Sequence, residues 1–485
     1  MPPSFAPAPN VREPGGQAAH HHGVCTKGSL TPEWIEAAVH AELSRRLSTR
    51  ARGPVAVAFS GGGDSLALLM LTRGWAAANG REILALSVDH GLNPRSGAWM
   101  AWCEARARSL GVLWQGLKCA SFAPAVGGWA SGLQARARDG RLRLICEAAR
   151  EAGARIVLTG HTCDDVRESA LMIARAEMRG RLRPVAPAPV WPEGRGLLLV
   201  RPLLDVSRAD LRHWLTARGA DWIDDPANED ARFARVRARA DLGAGEGAPP
   251  LPDAPGASLV LPALMSLGAA WFCELPGAES LAHALVAVAG HDRLPRGRRL
   301  AALLARMRQG EGGTLAGARV EPWRAGWLLT RERGRGPGAH LALAAGETGL
   351  FEGVFEITAH DRPITVARAG GHLRALLPED RGALQAYAPS IRAALPVAIG
   401  LAEAPVLAWH RASVQPLVPL RLTLAAGVRS GAVASEDDLA RASYVAGDGG
   451  LLTKCLSSEL ASWARSRCDS TTAKGGVIED DNEPA

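Results

Sequence analysis

Short apolar runs alternate with longer helical stretches through the first half of the chain. Val55 to Phe59 is the first run, followed by a glycine turn and an apolar helix from Ser65. Ile83 to Asp89 is the second, with a helix near Trp99 to Leu110 behind it. A long helical stretch covers Ser131 to Ala152, Arg155 to Gly160 reads as a third strand and Leu197 to Val200 as a fourth. Ser207 to Asp210 then carries the S-x-x-D pattern of a capped helix. Ahead of all these, Thr31-Pro32-Glu33 opens a helical lead-in to Leu47, a cap residue followed by Pro at the first helical position. Strands that are apolar on both faces and separated by helices predict an α/β domain on a doubly wound parallel sheet, residues 31–242.

A Gly/Pro-rich break from Gly243 to Gly256 closes that pattern. Residues 257–312 read as a helical domain with a basic stretch from Arg293 to Arg308, and 313–425 as a mixed or β-rich domain of short apolar runs with frequent Gly. The ends, 1–30 and 469–485, are Pro/Gly-rich or polar and predict disorder.

Composition adds limits. A chain of 485 residues is too long for one ordinary domain, and 47% apolar residues suffice for packed cores. A net charge of +7 fits a nucleic-acid partner, since clustered cations release counterions from phosphate. Only four Lys contribute to it, so a coding bias toward Arg and Ala explains the charge equally well. The eight Cys form no C-x-x-C, which argues against zinc, iron–sulfur and disulfide scaffolds. The three histidines His20 to His22 read as incidental. No signal-peptide core opens the chain, and the nearly uncharged stretch Ser258 to Phe272 is too short and too broken to span a bilayer. A cytoplasmic protein with no membrane association and no obligate protein partner is the expectation.

Two constellations carry chemistry. Ser60-Gly61-Gly62-Gly63-Asp64-Ser65 stands between an apolar strand and a helix, so its backbone N–H groups and the helix N-terminus favour a polyanion. Asp64 would repel phosphate alone, and makes sense there if it holds Mg²⁺ that bridges phosphate oxygens. Without a Lys this is not the common nucleotide-binding loop. The second constellation, Gly160 to Glu168, follows the third strand. Asp165 and Glu168 share a helix face, and at the carboxyl end of a parallel strand they point to the ligand crevice. Acids at a helix N-terminus are otherwise ordinary partners of its dipole.

The first constellation resembles the pyrophosphate-binding PP-loop of the ATP pyrophosphatase superfamily, whose fold is that of the adenine nucleotide α-hydrolases. Ser87-Val88-Asp89-His90-Gly91-Leu92, Arg138 and Arg141, Arg201-Pro202-Leu203-Leu204, and Trp222-Ile223-Asp224-Asp225-Pro226-Ala227-Asn228 occur in the order seen in tRNA(Ile)-lysidine synthases. Phe233 to Arg239 is similar to that family's basic segment. The resemblance covers residues 55 to 240 well. It is weaker beyond, at Gly313 to Glu332 and Phe351 to Ile357. It implies a ligase that uses ATP and Mg²⁺ to adenylate the wobble cytidine of tRNA(Ile) with a CAU anticodon and joins lysine to it. Ser60, Gly61, Gly62, Gly63, Asp64, Ser65 and His161 would contact ATP; Asp64 and Asp165 would hold the metal. Arg141, with Arg138, would neutralise phosphate charge, and Asp165 and Glu168 would serve the metal or the lysine.

Val166 departs from the family pattern, as does the segment Met178 to Pro184, where an R-G-S-G-x-x-G-L loop is usual. Rival readings are a tRNA thiolase, which would need more cysteines than Cys163 at the site, a small-molecule amidating ligase, and a catalytically dead tRNA-binding protein. Residues from 257 onward are expected to give tRNA affinity through Arg293, Arg296, Arg298, Arg299, Arg306 and Arg308. Removing them should leave the nucleotide site intact.

Overall fold

A computed structural model describes residues 30–89, 91, 94–119, 133–175, 181–224, 234–243, 258–263, 265–332, 339–400 and 404–447. The expected disordered ends (apart from Leu30), His90, Met178 to Gly180 and Asp225 to Phe233 lie outside the described residues.

The first domain runs α1 (Pro32–Arg46), β1 (Val55–Ala58), α2 (Gly63–Asn79), β2 (Ile83–Asp89), α3 (Ser96–Ser109), β3 (Leu113–Lys118) and α4 (Leu133–Glu151). It continues through β4 (Ile156–Leu158), α5 (Cys163–Ala174), β5 (Val185–Pro187), β6 (Leu198–Val200), α6 (Arg208–Thr216) and α7 (Ala234–Gly243). The strands form one sheet in the order β3-β2-β1-β4-β6-β5. All neighbours pair in parallel except β5, which runs antiparallel to β6 at the edge.

Successive side chains of β1 divide between two cores: Val55 and Val57 join one, Ala56 the other. Both sheet faces are therefore covered, which is why the central strands read as unbroken apolar runs. The sequence pattern misses β3 because that strand is largely exposed, and β5 because it is three residues long and ends in Pro187. From β1 the sheet grows one way through β2 and the other way through β4. A crevice opens at the carboxyl ends where the order reverses.

Beyond the break come β7 (Ala270–Phe272), α8 (Ala278–Ala289), α9 (Arg298–Arg308), β8 (Gly313–Leu315), β9 (Ala318–Trp323) and β10 (Gly326–Arg331). Strand β7 pairs with β10, and α8 and α9 share a core with both strands. The division expected at residue 312 thus cuts through one sheet, and 257–312 is not a separate helical domain. A run of only three apolar residues, Ala270 to Phe272, gave no strand signal against the helices around it. Two further sheets combine β11 (Leu341–Leu343), β12 (Thr348–Phe351), β13 (Phe355–Ala359), β14 (Ile364–Arg368), β15 (Pro396–Ile399), β16 (Val406–Leu407) and β17 (Ala412–Pro416). Two short helices, α10 (Pro378–Leu384) and α11 (Pro389–Ala394), lie among them.

The final helices, α12 (Leu417–Ser430) and α13 (Glu436–Gly447), return to the first domain. Leu424, Val433 and Leu439 enter the core that holds Leu43 and Trp75. Glu436 pairs with Arg81 at 2.9 Å, both side chains at most 3% exposed, and also accepts from the Ser48 amide at 2.9 Å. This speaks against the expectation that removing the chain beyond 257 leaves the nucleotide site intact. Such a truncation uncovers apolar core and leaves a buried guanidinium without its carboxylate. No described helix is long and apolar enough to cross a membrane.

Candidate active site

Three helix N-termini converge on the crevice. The turn from β1 into α2 depends on Gly61, whose φ of +84° suits glycine and whose added Cβ would lie 2.6 Å from Ile223 Cδ1. The Ile223 amide donates to the Gly61 carbonyl at 2.9 Å, so the Trp222–Ile223 segment clamps the loop from outside. Inside the loop, Ser65 Oγ donates to the Gly62 carbonyl at 2.9 Å and lies 3.2 Å from Ser60 Oγ. Gly160, after β4, is the second close approach: a Cβ there would stand 3.1 Å from the Asp64 carbonyl. Glycine lets the β4–α5 turn lie against the glycine loop without displacing its backbone. His161, in that turn, places Nδ1 3.0 Å from Thr159 Oγ1.

Helix α5 begins with a capping box. The Thr162 amide and hydroxyl donate to Asp165 Oδ2 at 2.8 and 3.0 Å. The Cys163 amide donates to the Val206 carbonyl, which draws the β6–α6 turn alongside. Ser207 caps α6 by accepting from the Asp210 amide at 3.0 Å, and Arg208 follows as the first residue of that helix. Its amide donates to Asp164 Oδ2 at 2.8 Å.

The Arg208 guanidinium then contacts three carboxylates: Asp64 Oδ2 at 3.1 Å, Asp165 Oδ1 at 2.9 Å and Glu168 Oε1 at 2.7 Å. Arg239 of α7 adds a second cation on Glu168 Oε1 at 2.9 Å, while Glu168 Oε2 is buried without a hydrogen-bond partner. Burial works against the charge of Arg208, but Asp165, Glu168 and Asp64 outweigh it and hold the proton more firmly than usual. Burial raises the proton affinity of Asp64, Arg208 opposes this, and Asp165 adds to it. The structure thus joins Asp64, Asp165 and Glu168 as the two motifs require. Its central residue, Arg208, was read in the sequence only as part of a helix cap. A signal was there: a cation at a helix N-terminus opposes the dipole and calls for nearby anions.

Arg138 and Arg141 are exposed on α4. Arg138 lies close enough to Arg201, at the end of β6, for burial and its charge together to push the Arg201 guanidinium down to about 10. Asp89 receives the Gly91 amide at 2.7 Å, a turn contact. Among the described residues no group of three or more His, Cys, Asp or Glu is arranged to hold a metal. Asp165 has one oxygen in the cap and the other on Arg208.

A PP-loop domain model matches residues 35–245. The tRNA(Ile)-lysidine synthase of Caulobacter vibrioides is 42% identical over 410 residues, 80% of this chain and 97% of that protein. The enzyme of the same name from Hyphomonas neptunium is 35% identical, covering 67% of this chain and 93% of its own. Among solved structures, the U34-tRNA thiolase NcsA from Methanococcus maripaludis aligns at 13% identity and a TM-score of 0.38, over 48% of this chain and 80% of that one. That likeness is too distant to carry an argument. Similarity at this level over nearly the whole length of two curated relatives places the chain in the tRNA(Ile)-lysidine synthase family.

Proposed function

We propose that the chain joins lysine to the wobble cytidine of tRNA(Ile) bearing a CAU anticodon, using ATP. The observation that carries the reading is the meeting of Asp64, at the glycine loop, with Asp165, Glu168 and Arg208 at the switch point of the sheet. Ser60 to Gly63 and Ser65 surround the pyrophosphate, with His161 beside the nucleotide. The cytidine O2 attacks the α-phosphorus of ATP and pyrophosphate leaves. The lysine ε-amino group then attacks carbon 2, and the carbon–oxygen bond breaks to release AMP. Arg138 and Arg141 reach the phosphates from α4 and offset charge that develops on them.

Asp64 is a half-buried carboxylate whose proton affinity is raised by burial and by a second carboxylate, a donor that a divalent cation suits. Mg²⁺ bound there would complete its shell with phosphate and water oxygens and neutralise phosphate charge. Glu168 Oε2, buried and unpartnered, is the acceptor that fits the lysine ammonium. Arg208 keeps the three acids together.

The test is incubation of the full chain with labelled lysine, ATP and a tRNA(Ile) transcript. Label in the nucleoside, lost with a CAU→GAU transcript and with Asp64→Asn, is the expected result. Lysine-independent ATP turnover, or sulfur transfer, would remove the reading.

A further inference from the structure

A second group of buried and half-buried charges lies away from the glycine loop. Helices α8 and α12 run antiparallel: Arg421 Nη1 donates to the Val286 carbonyl at 2.9 Å at one end, and Arg429 pairs with Glu279 at the other. His283 lies between those two contacts on α8. The Arg421 guanidinium stacks on Trp191 with 4.5 Å to the ring centroid, which fastens α12 to the first domain. From that domain Arg183 enters, just ahead of β5.

Because β5 is antiparallel, with Val185 opposite Val200, its start lies beside the carboxyl end of β6. Arg183 therefore stands on the same rim of the sheet as Asp64 and Arg208, and its carbonyl accepts from Arg201 at 2.7 Å. Arg296, exposed, comes from the turn between α8 and α9.

We propose that Arg183, Arg296 and Arg429, gathered around His283 where β5, α8 and α12 meet, form a site for a phosphodiester group of the RNA. The positive charge is in excess: Glu279 pairs with Arg429, and Asp292, the other acid nearby, pairs with Arg143. Neither Arg183 nor Arg296 takes part in an ion pair among the described residues. Arg429 also keeps a buried Nε without a hydrogen-bond partner. Burial first, then Arg429, Arg421 and Arg296, push the His283 imidazole down to about 4, so it adds no positive charge of its own beside the arginines. Burial, Arg429 and Arg181 likewise lower Arg183, against Glu279. Like charges held this close across three elements are a liability in a free protein and an asset when a phosphate lies among them. The segment at Arg181 to Pro184, where glycines are usual in the family, brings arginine to this meeting point instead.

The site rests on the tRNA-modifying reading above. The test is the affinity of the full chain for the tRNA(Ile) transcript across a salt series. Arg183→Gln with Arg296→Gln should weaken binding about tenfold or more and flatten the salt slope by about 2, about 1 per lost phosphate contact. ATP affinity measured without tRNA, and the melting temperature, should hold. Arg183→Lys with Arg296→Lys should restore the slope, and Arg362→Gln with Arg374→Gln, exposed elsewhere, should leave it at the parental value. An unchanged slope, an equal loss in the control pair, or a loss of ATP affinity instead overturns the site. If the parent binds tRNA but incorporates no lysine, while the double variant binds it less, the site stands and the lysidine reading falls. If the parent binds no tRNA, both fall.

Discussion

The two charged regions of the molecule are built on opposite plans. At the crevice, acids surround one arginine, and nearly every oxygen and nitrogen of the cluster has a partner. At the junction of β5, α8 and α12, arginines surround a neutral histidine, and part of their hydrogen-bonding capacity is unused. A balanced cluster fixes geometry, because each group is held by another already in the protein. An unbalanced one holds less firmly and waits for a partner from outside. Chemistry on a tRNA needs both: a rigid place for reacting atoms and a charged surface that recognises the polymer only when it arrives.

Arg208→Met tests the balanced cluster most severely. It leaves Asp64, Asp165 and Glu168 without their shared cation, and we expect turnover to fall about 10²–10³-fold and stability by about 3–5 kcal/mol. Lysine incorporation and urea unfolding measure these, and near-parental values in both would show that the acids do not depend on Arg208.

A one-to-one pair sharpens the contrast. Glu436→Gln leaves Arg81 buried and uncompensated and should also cost about 3–5 kcal/mol, with turnover of the folded fraction close to parental. Combining it with Arg81→Leu should recover much of the loss, since a buried pair is costly to halve and cheap to replace. A double variant as unstable as the sum of the singles would assign the loss to packing alone.

The smallest effect belongs to the unbalanced region. His283 is ordinarily near 6.5 when unfolded and about 4 in the fold, so the unfolded chain gains a proton first as pH falls. The stability from its neutral state is complete above pH 6.5 and is lost as pH drops toward 4. Unfolding midpoints of the parent should fall through that window more steeply than those of His283→Gln. Parallel curves would mean that burial and the arginines do not hold the imidazole neutral.

How much of this was legible varies with the range of the interaction. The glycine loop and the acids of α5 stand out because local backbone demands mark them: a turn whose φ at Gly61 suits glycine, and a close approach at Gly160 that a side chain would crowd. Arg208 was hidden because its meaning depends on Asp64 and Glu168, 144 and 40 residues away. Its position against the helix dipole was the one local trace. The strand β7 and the burial of Glu436 left no pattern at all, since each is defined by a partner far along the chain.

The contact between Arg81 and Glu436 spans 355 residues. During synthesis at about 5–20 residues per second, that interval lasts roughly 20–70 s. For the part of it after α7, roughly 10–40 s, the sheet, the glycine loop and the acid cluster are already synthesised, yet a wall of their core is missing. Slow, non-local closure of this kind exposes apolar surface to other chains. It also means that a chain ending before Glu436 carries a first domain with apolar core uncovered on one side.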